Sequence, residues 1–164
     1  MKPKELDSAI VKLLMERHAD ETTAFYQYRA MSNAMKDIGF FKASAYFAKE
    51  SSDELEHAKK IEDYLTDWNV VPPLAQIDKP EIKFDSPLKC IEKAYELEYD
   101  LYEKYEDISG KVLDKDICTF DFLQQFRKIQ VESVADYSDK INLLAGCETK
   151  DKFQLLMLED KLFS

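Results

Sequence analysis

Glycine is nearly absent, with three in 164 residues, and so are histidine, at two, and tryptophan, at one. With only five prolines as well, the chain is short of the residues that make tight turns. That disfavours many short strands joined by loops and leaves no material for a phosphate-cradling glycine loop. The three cysteines, Cys90, Cys118 and Cys147, are widely spaced and form no CxxC pair. They read as reduced thiols of an intracellular protein. No apolar run approaches the length needed to span a bilayer. The first residues, Met1-Lys2-Pro3-Lys4-Glu5, lead into an amphipathic segment rather than an apolar leader, so the expected compartment is cytoplasmic. Positive charge is also in deficit. A net charge of −10 argues against nucleic acid and against anionic membrane surfaces as partners, and suits a protein that attracts cations. There is no internal repeat and no low-complexity segment.

What is present is helical periodicity. The length suits one domain, residues 1–164, with a sizeable core. Leu6, Ile10, Leu13, Leu14, Phe25, Tyr28, Met31 and Met35 recur at spacings of three and four, which predicts a first helix over about Lys4 to Asp37. Gly39 is placed to cap it. A second helix follows from about Phe40 to Asp67, antiparallel to the first because the connection is short. Residues 68–87 hold Pro72, Pro73, Pro80 and Pro87 and exclude a regular helix. A connection of that length can run the height of a bundle, with Val70, Val71, Leu74 and Ile77 packing on helix surfaces, and sets the third helix parallel to the second. Ser86-Pro87 is a cap followed by a first-turn proline, so the third helix begins there and stops at Gly110. A fourth helix spans roughly 116–145 and ends before Gly146. A fifth, roughly 149–162, is too apolar to stay alone in water and is expected to dock in an assembly.

Polar residues interrupt each of the four long apolar stripes. Glu21 is seven residues after Leu14 and seven before Tyr28. Glu54 and His57 form Glu-x-x-His in line with Phe47, Ile61 and Tyr64, so that one helix face carries a carboxylate and an imidazole able to share a metal. Glu98 lies three after Tyr95 and seven before Tyr105, and Gln130 lies four after Phe126 and seven before Tyr137. Charge on a core-facing stripe is costly unless a partner or a metal satisfies it. In a four-helix bundle these five residues can meet at mid-height, and inward carboxylates with Glu-x-x-His are the ingredients of a di-iron carboxylate site. The competing reading is scattered polar core residues satisfied by hydrogen bonds. Nothing marks a nucleophile for a Ser-His-Asp triad.

Over nearly its whole length the chain resembles a bacterial non-haem ferritin. The resemblance is carried by Glu21 through Tyr28, by Asp53-Glu54-Leu55-Glu56-His57, by Tyr95-Glu96-Leu97-Glu98, and by Thr119-Phe120-Asp121-Phe122-Leu123-Gln124 leading to Gln130. It implies an all-α, ferritin-like four-helix bundle with one long crossover and a short C-terminal fifth helix. It also implies an intrasubunit ferroxidase centre holding two irons per subunit, which oxidises Fe(II) to Fe(III) with O2 or H2O2 and passes it to a ferric oxyhydroxide mineral. By the match Glu21 and His57 hold the first iron, Glu54 bridges, Glu98 holds the second and Gln130 lies beside it. Tyr28 matches the tyrosine next to the centre that assists electron transfer. A homo-oligomeric shell of twenty-four subunits is implied, with the fifth helix near the four-fold axes.

Several positions depart from the family pattern. Ser133 stands where many bacterial ferritins carry a glutamate, so the second iron site looks more like the animal heavy-chain pattern. For the accessory third iron site Asp53 and Glu132 match, but Ile129 and Ser133 fall where acids belong. Near the start of the fourth helix Asp114, Asp116 and Asp121 are candidates for an iron channel, with Phe120 and Leu123 at acidic positions of animal ferritins. His18 has Met15 three residues before it, so there is no second Glu-x-x-His of the kind found in bacterioferritin, rubrerythrin and the ribonucleotide reductase small subunit. His18 reads as a surface or interface residue. Two alternatives stand beside ferroxidase storage. One is a di-iron oxygenase or peroxidase acting on another substrate. The other is a non-catalytic shell subunit, which the retained Glu21, Glu54, His57 and Glu98 oppose.

Overall fold

The computed structural model describes residue 1, residues 3–145, residue 147 and residues 151–164. Gly146 and Thr149, the expected stop of the fourth helix and start of the fifth, lie outside the described residues. Five helices follow in order: α1 (Ser8–Asp37), α2 (Phe41–Asp67), α3 (Pro87–Val112), α4 (Ile117–Ala145) and α5 (Lys152–Leu162). The described residues include no strand.

Helix α1 begins four residues later than its apolar pattern suggests. Asp7 accepts a hydrogen bond from the Ala9 amide at 2.8 Å, and that cap fixes the start. It ends where Gly39 adopts φ 87°, a conformation that costs glycine little and other residues more. The Gly39 and Phe40 amides then reach back to Lys36 and Met35, closing the α1–α2 turn. Helix α3 begins as expected, with Ser86 accepting from the Lys89 amide and Pro87 in the first turn. It does not stop at Gly110. Val112 is fully buried, and that packing carries the helix through the glycine for one further half-turn.

Contacts between helices give the topology. Tyr105 meets Glu21 and Tyr28 meets Glu98, so α3 runs antiparallel to α1. Tyr64 meets Thr119 while Tyr46 meets Asp136, so α4 runs antiparallel to α2. With α1 and α2 a hairpin, α3 is therefore parallel to α2, and the crossover spans the bundle. Its anchoring meets the expectation in part. Val70 packs against the core and Ile77 is half-buried, whereas Val71 and Leu74 are exposed, at 88% and 69%. The strap is held also by buried Phe84 and by a reciprocal pair in which Gln27 donates to the Glu81 carbonyl at 2.9 Å and accepts from the Glu81 amide at 3.2 Å.

Helix α5 packs on the start of α2 within the same chain. The first residue before α2, Phe40, has no side chain able to cap. Buried Glu159 of α5 supplies the cap, accepting from the Lys42 and Ala43 amides at 3.1 and 3.0 Å. Phe163 packs on Tyr46 and Phe47 with ring centroids 5.3 and 5.6 Å apart. The opposite face of α5 leaves Phe153 and Met157 exposed. No helix of the described residues is long and apolar enough to cross a membrane.

Candidate metal centre

Each long helix brings one of the stripe-interrupting polar residues, and α2 two, to the same level of the bundle. Glu21 on α1 and Glu98 on α3 are 0% exposed, Glu54 and His57 on α2 are 3% and 8%, and Gln130 on α4 is 1%. Around them the core is aromatic and aliphatic, with Tyr28, Phe47, Ile61, Leu101, Tyr105, Phe126 and Tyr137 all close to fully buried. Five polar side chains have thus been taken out of water together, which requires mutual satisfaction or a cation.

Glu21, Glu54 and His57 converge. One ligand atom from each lies within 4.8 Å of the other two. His57 Nδ1 is 3.5 Å from Glu21 Oε2 and 3.4 Å from Glu54 Oε2. Neither distance is that of a good hydrogen bond. Glu21 Oε1 accepts from the Tyr105 hydroxyl, whereas Glu21 Oε2 is buried with no hydrogen-bond partner among the described residues. A buried carboxylate oxygen left orphaned beside a second carboxylate and an imidazole suits a divalent cation, which would give it the partner it lacks.

Glu98 stands apart from that triad. Its Oε1 accepts from the Tyr28 hydroxyl. The Gln130 amide satisfies its surroundings with its nitrogen turned toward Glu98, donating to the Glu98 carbonyl at 3.0 Å and to Oε2 at 2.8 Å. Both carboxylate oxygens of Glu98 are therefore already engaged.

Electrostatics separate the carboxylates. Burial pushes Glu54 well above the ordinary carboxylate range, and the nearby Glu21 charge pushes further. Burial also acts to raise Glu21, but the neighbouring Glu54 carboxyl, the His57 imidazole and the Tyr105 hydroxyl all favour its ionised form, outweigh the burial and hold Glu21 below its usual value. Glu54 and Glu21 behave as a pair in which Glu54 keeps the proton. Glu98 is pushed up to about 8 by burial, in part offset by the Tyr28 hydrogen bond. Metal-free, the centre holds protons that a cation would displace.

Two residues of the surroundings, Tyr105 and Glu50, were not singled out by the sequence pattern. Tyr105, one heptad after Glu98 on the same stripe, holds Glu21; a tyrosine at core spacing beside an intruding acid was the available signal. Glu50, one turn before Glu54, is half-buried, and its carboxyl is raised by burial. Its charge is felt by Tyr28, Tyr46 and Tyr137. His18 proves to be neither surface nor ligand. It is buried, and its Nε2 lies 2.7 Å from Glu62 Oε1, tying α1 to α2. Of the accessory-site acids, Asp53 is engaged by Lys49 at 2.6 Å and Glu132 is exposed. Ser133 is half-buried. Asp116 accepts from the Thr119 amide at 2.8 Å and so caps α4.

Known proteins resemble the chain over most of its length. A bacterial non-heme ferritin of Campylobacter jejuni is 33% identical over 143 residues, covering 85% of this chain and 86% of that protein. A bacterial non-heme ferritin of Staphylococcus saprophyticus is 28% identical over 140 residues, covering 85% and 84%. Among solved structures, an open-pore ferritin from the hyperthermophilic archaeon Archaeoglobus fulgidus superposes with a TM-score of 0.89 at 27% identity, covering 96% of both chains. A humanized archaeal ferritin gives 0.90 at 28%, with the same coverage. The family model of the ferritin-like domain matches residues 11–147, and the chain belongs to the ferritin-like domain family.

Proposed function

We propose that the protein is an iron-storage ferritin that oxidises Fe(II) at an intrasubunit di-iron ferroxidase centre. The observation that carries this reading is the convergence of Glu21, Glu54 and His57 around the orphaned Glu21 Oε2, with Glu98 a helix away. Fe(II) is the substrate. Glu21 and His57 hold one iron, Glu54 bridges, and Glu98 holds the second with Gln130 alongside. Carboxylate oxygens stabilise Fe(III) over Fe(II) and so favour oxidation. Two Fe(II) ions give two electrons to one dioxygen, which takes up two protons and leaves as hydrogen peroxide, with no free superoxide. A site with one nitrogen donor and several oxygens releases Fe(III) readily, which suits transfer to a mineral rather than retention. Tyr105 and Tyr28 orient Glu21 and Glu98 through hydrogen bonds that leave an oxygen of Glu21 to face the metal. Assembly into a closed shell of twenty-four subunits in the cytoplasm would give the ferric product its enclosure. The similarity to the Archaeoglobus fulgidus ferritin and the exposed Phe153 and Met157 on α5 support self-association.

Aerobic loading with excess Fe(II), followed by gel filtration with iron and protein read in the same fractions, tests the proposal. Iron in large excess over protein, eluting with a particle far larger than one chain, is the expected result. A small particle retaining about two irons per chain would point instead to a fixed di-iron cofactor and an oxygenase.

A further inference from the structure

Glu21 is held from across the bundle. The Tyr105 hydroxyl of α3 donates to Glu21 Oε1, while Glu21 Oε2 faces His57 Nδ1 at 3.5 Å. The two helices that meet here are stapled beside the contact. Asp20, the residue before Glu21, pairs with the Lys104 ammonium at 2.9 Å, and Lys104 is the residue before Tyr105. Buried Arg17, one turn before Glu21, pairs with Asp20 at 2.8 Å and donates to the Lys104 carbonyl at 3.2 Å. One turn after Tyr105, Arg127 of α4 donates to the Ser109 hydroxyl at 2.6 Å. The backbone that carries Tyr105 is thus tied to α1 before it and to α4 after it.

Packing fixes the ring as well as the backbone. Tyr105 is fully buried and lies flat on Phe126, with centroids 5.0 Å apart and planes 4° from parallel. Phe126 meets the His57 ring edge to face at 6.1 Å and 84°. One phenylalanine therefore backs both the residue that holds Glu21 and the imidazole beside Glu21. Close packing accounts for a ring at position 105 but not for its hydroxyl, since phenylalanine would fill the same space. That hydroxyl has a chemical consequence. A carboxylate oxygen that accepts from a phenol gives less electron density to a cation, and the hydrogen bond sets the plane of the carboxylate. Partners of this kind orient a ligand and tune how firmly it holds a metal. With the ring and both helices fixed, Tyr105 has no room to withdraw when a cation arrives.

We propose that Tyr105 is a positioning residue that restricts Glu21 to one oxygen toward iron and so sets how fast oxidised iron leaves the centre. The proposal rests on the ferroxidase reading above and adds to it a determinant of release. With Oε1 held by Tyr105, iron gains a single bond to Glu21, through Oε2. When Fe(III) departs, that one bond breaks and water takes its place on the iron. Without the hydroxyl, Oε1 is free and buried beside the same cation, and the carboxylate closes on the iron with both oxygens. Two bonds must then break. A centre of that kind would still oxidise its first Fe(II) but would be slow to empty. Arg17 serves the same end indirectly, by holding the turn of α3 that presents Tyr105.

Paired pulses of Fe(II) in air test the proposal, each of about two irons per chain, with the interval between them varied and each pulse followed by stopped-flow absorbance. The recovery time is the interval after which the second pulse is oxidised as fast as the first. Tyr105→Phe is expected to leave the first pulse unchanged and to lengthen recovery by roughly tenfold or more. In anaerobic Fe(II) calorimetry it should tighten the stronger binding position by a similar factor, and near-infrared circular dichroism of bound Fe(II) should show a higher coordination number. Arg17→Gln, which keeps the hydroxyl but frees its backbone, should lengthen recovery by a smaller factor, and it carries the test if Tyr105→Phe does not fold. Recovery and affinity unchanged in both variants overturn the proposal. So does a slower first pulse with weaker binding, the result of lost packing alone. Absence of any Fe(II) oxidation in the unaltered protein overturns instead the ferroxidase reading on which the proposal rests.

Discussion

The two halves of the centre differ in how far the protein satisfies them by itself. On the α1–α2 side, Glu21, Glu54 and His57 crowd within 4.8 Å, one carboxylate oxygen is orphaned, and one acid must keep its proton to remain buried. On the α3–α4 side, Glu98 is already bound by Tyr28 and Gln130, and Ser133 is the residue that, by the ferritin resemblance, stands in place of a further acid. The first half is costly when empty and gains most from a cation. The second is settled when empty and gains less. Folding energy has been set against binding energy unequally across a few ångströms, so the two irons of the proposed centre should be held with different strength.

The largest expected effect breaks the first half outright. His57→Ala removes the one nitrogen donor and should slow Fe(II) oxidation by about 10²-fold or more, read by stopped-flow absorbance, with the helical content unchanged. An unchanged rate would remove the triad from the mechanism.

Next comes the cost of the empty site. Glu54→Gln removes a buried acid whose ionised form is disfavoured by burial and by Glu21, and should stabilise the metal-free protein by about 1–3 kcal/mol in urea unfolding. The pH dependence has a definite sign. Glu54 and Glu98 have folded values above the unfolded carboxylate range, that of Glu98 at about 8. Their contribution is fully present below the unfolded value of about 4.3 and is lost as pH rises through the folded value. Metal-free protein should therefore weaken between about pH 5 and pH 8, and Glu54→Gln should flatten that slope. Glu21, held below its usual value, acts in the other direction and contributes only to the acid limb. A profile with stability rising toward pH 8 would contradict this division of protons.

Restoring an acid to the settled half sharpens the contrast. Ser133→Glu should raise affinity at the weaker metal position by roughly tenfold, about 1.4 kcal/mol, in anaerobic Fe(II) calorimetry, and leave the tighter position as it was. The smallest effect is a change that should leave both halves alike. Glu159→Ala uncaps α2 far from the centre, and should lower stability by about 1 kcal/mol in thermal unfolding with no change in oxidation rate.

How much of this was legible in the chain depended on whether the signal was local. The five helices and the four intrusions into their stripes were readable because helical periodicity places Glu21, Glu54, His57, Glu98 and Gln130 on inward faces regardless of neighbours. The starts of α1 and α3 follow from capping residues beside them, though the Asp7 cap overrode the apolar pattern that began at Leu6. Partnerships across helices were not readable. His18 looks like any lone polar residue until Glu62 lies opposite, and Tyr105 looks like ordinary core until Glu21 faces it. The crossover misled for a related reason: with four prolines it has no period, so nothing in Val71 or Leu74 distinguishes an apolar residue that packs from one left in water. Gly110 misled because glycine marks a helix end only when no burial lies beyond it, and Val112 lies beyond it.

The cap that Glu159 places on α2 also sets an order of events during synthesis. The amides it satisfies belong to Lys42 and Ala43, and 117 residues separate Glu159 from Lys42. At roughly 5–20 residues per second, a ribosome needs on the order of 10 s to make that stretch. Throughout that interval the first turn of the helix bearing Glu54 and His57 has its amides open to water or to another chain. A nascent polypeptide cannot cap the helix that carries Glu54 and His57 until Glu159 has left the tunnel, so a product truncated before Glu159 would show its defect at residue 42.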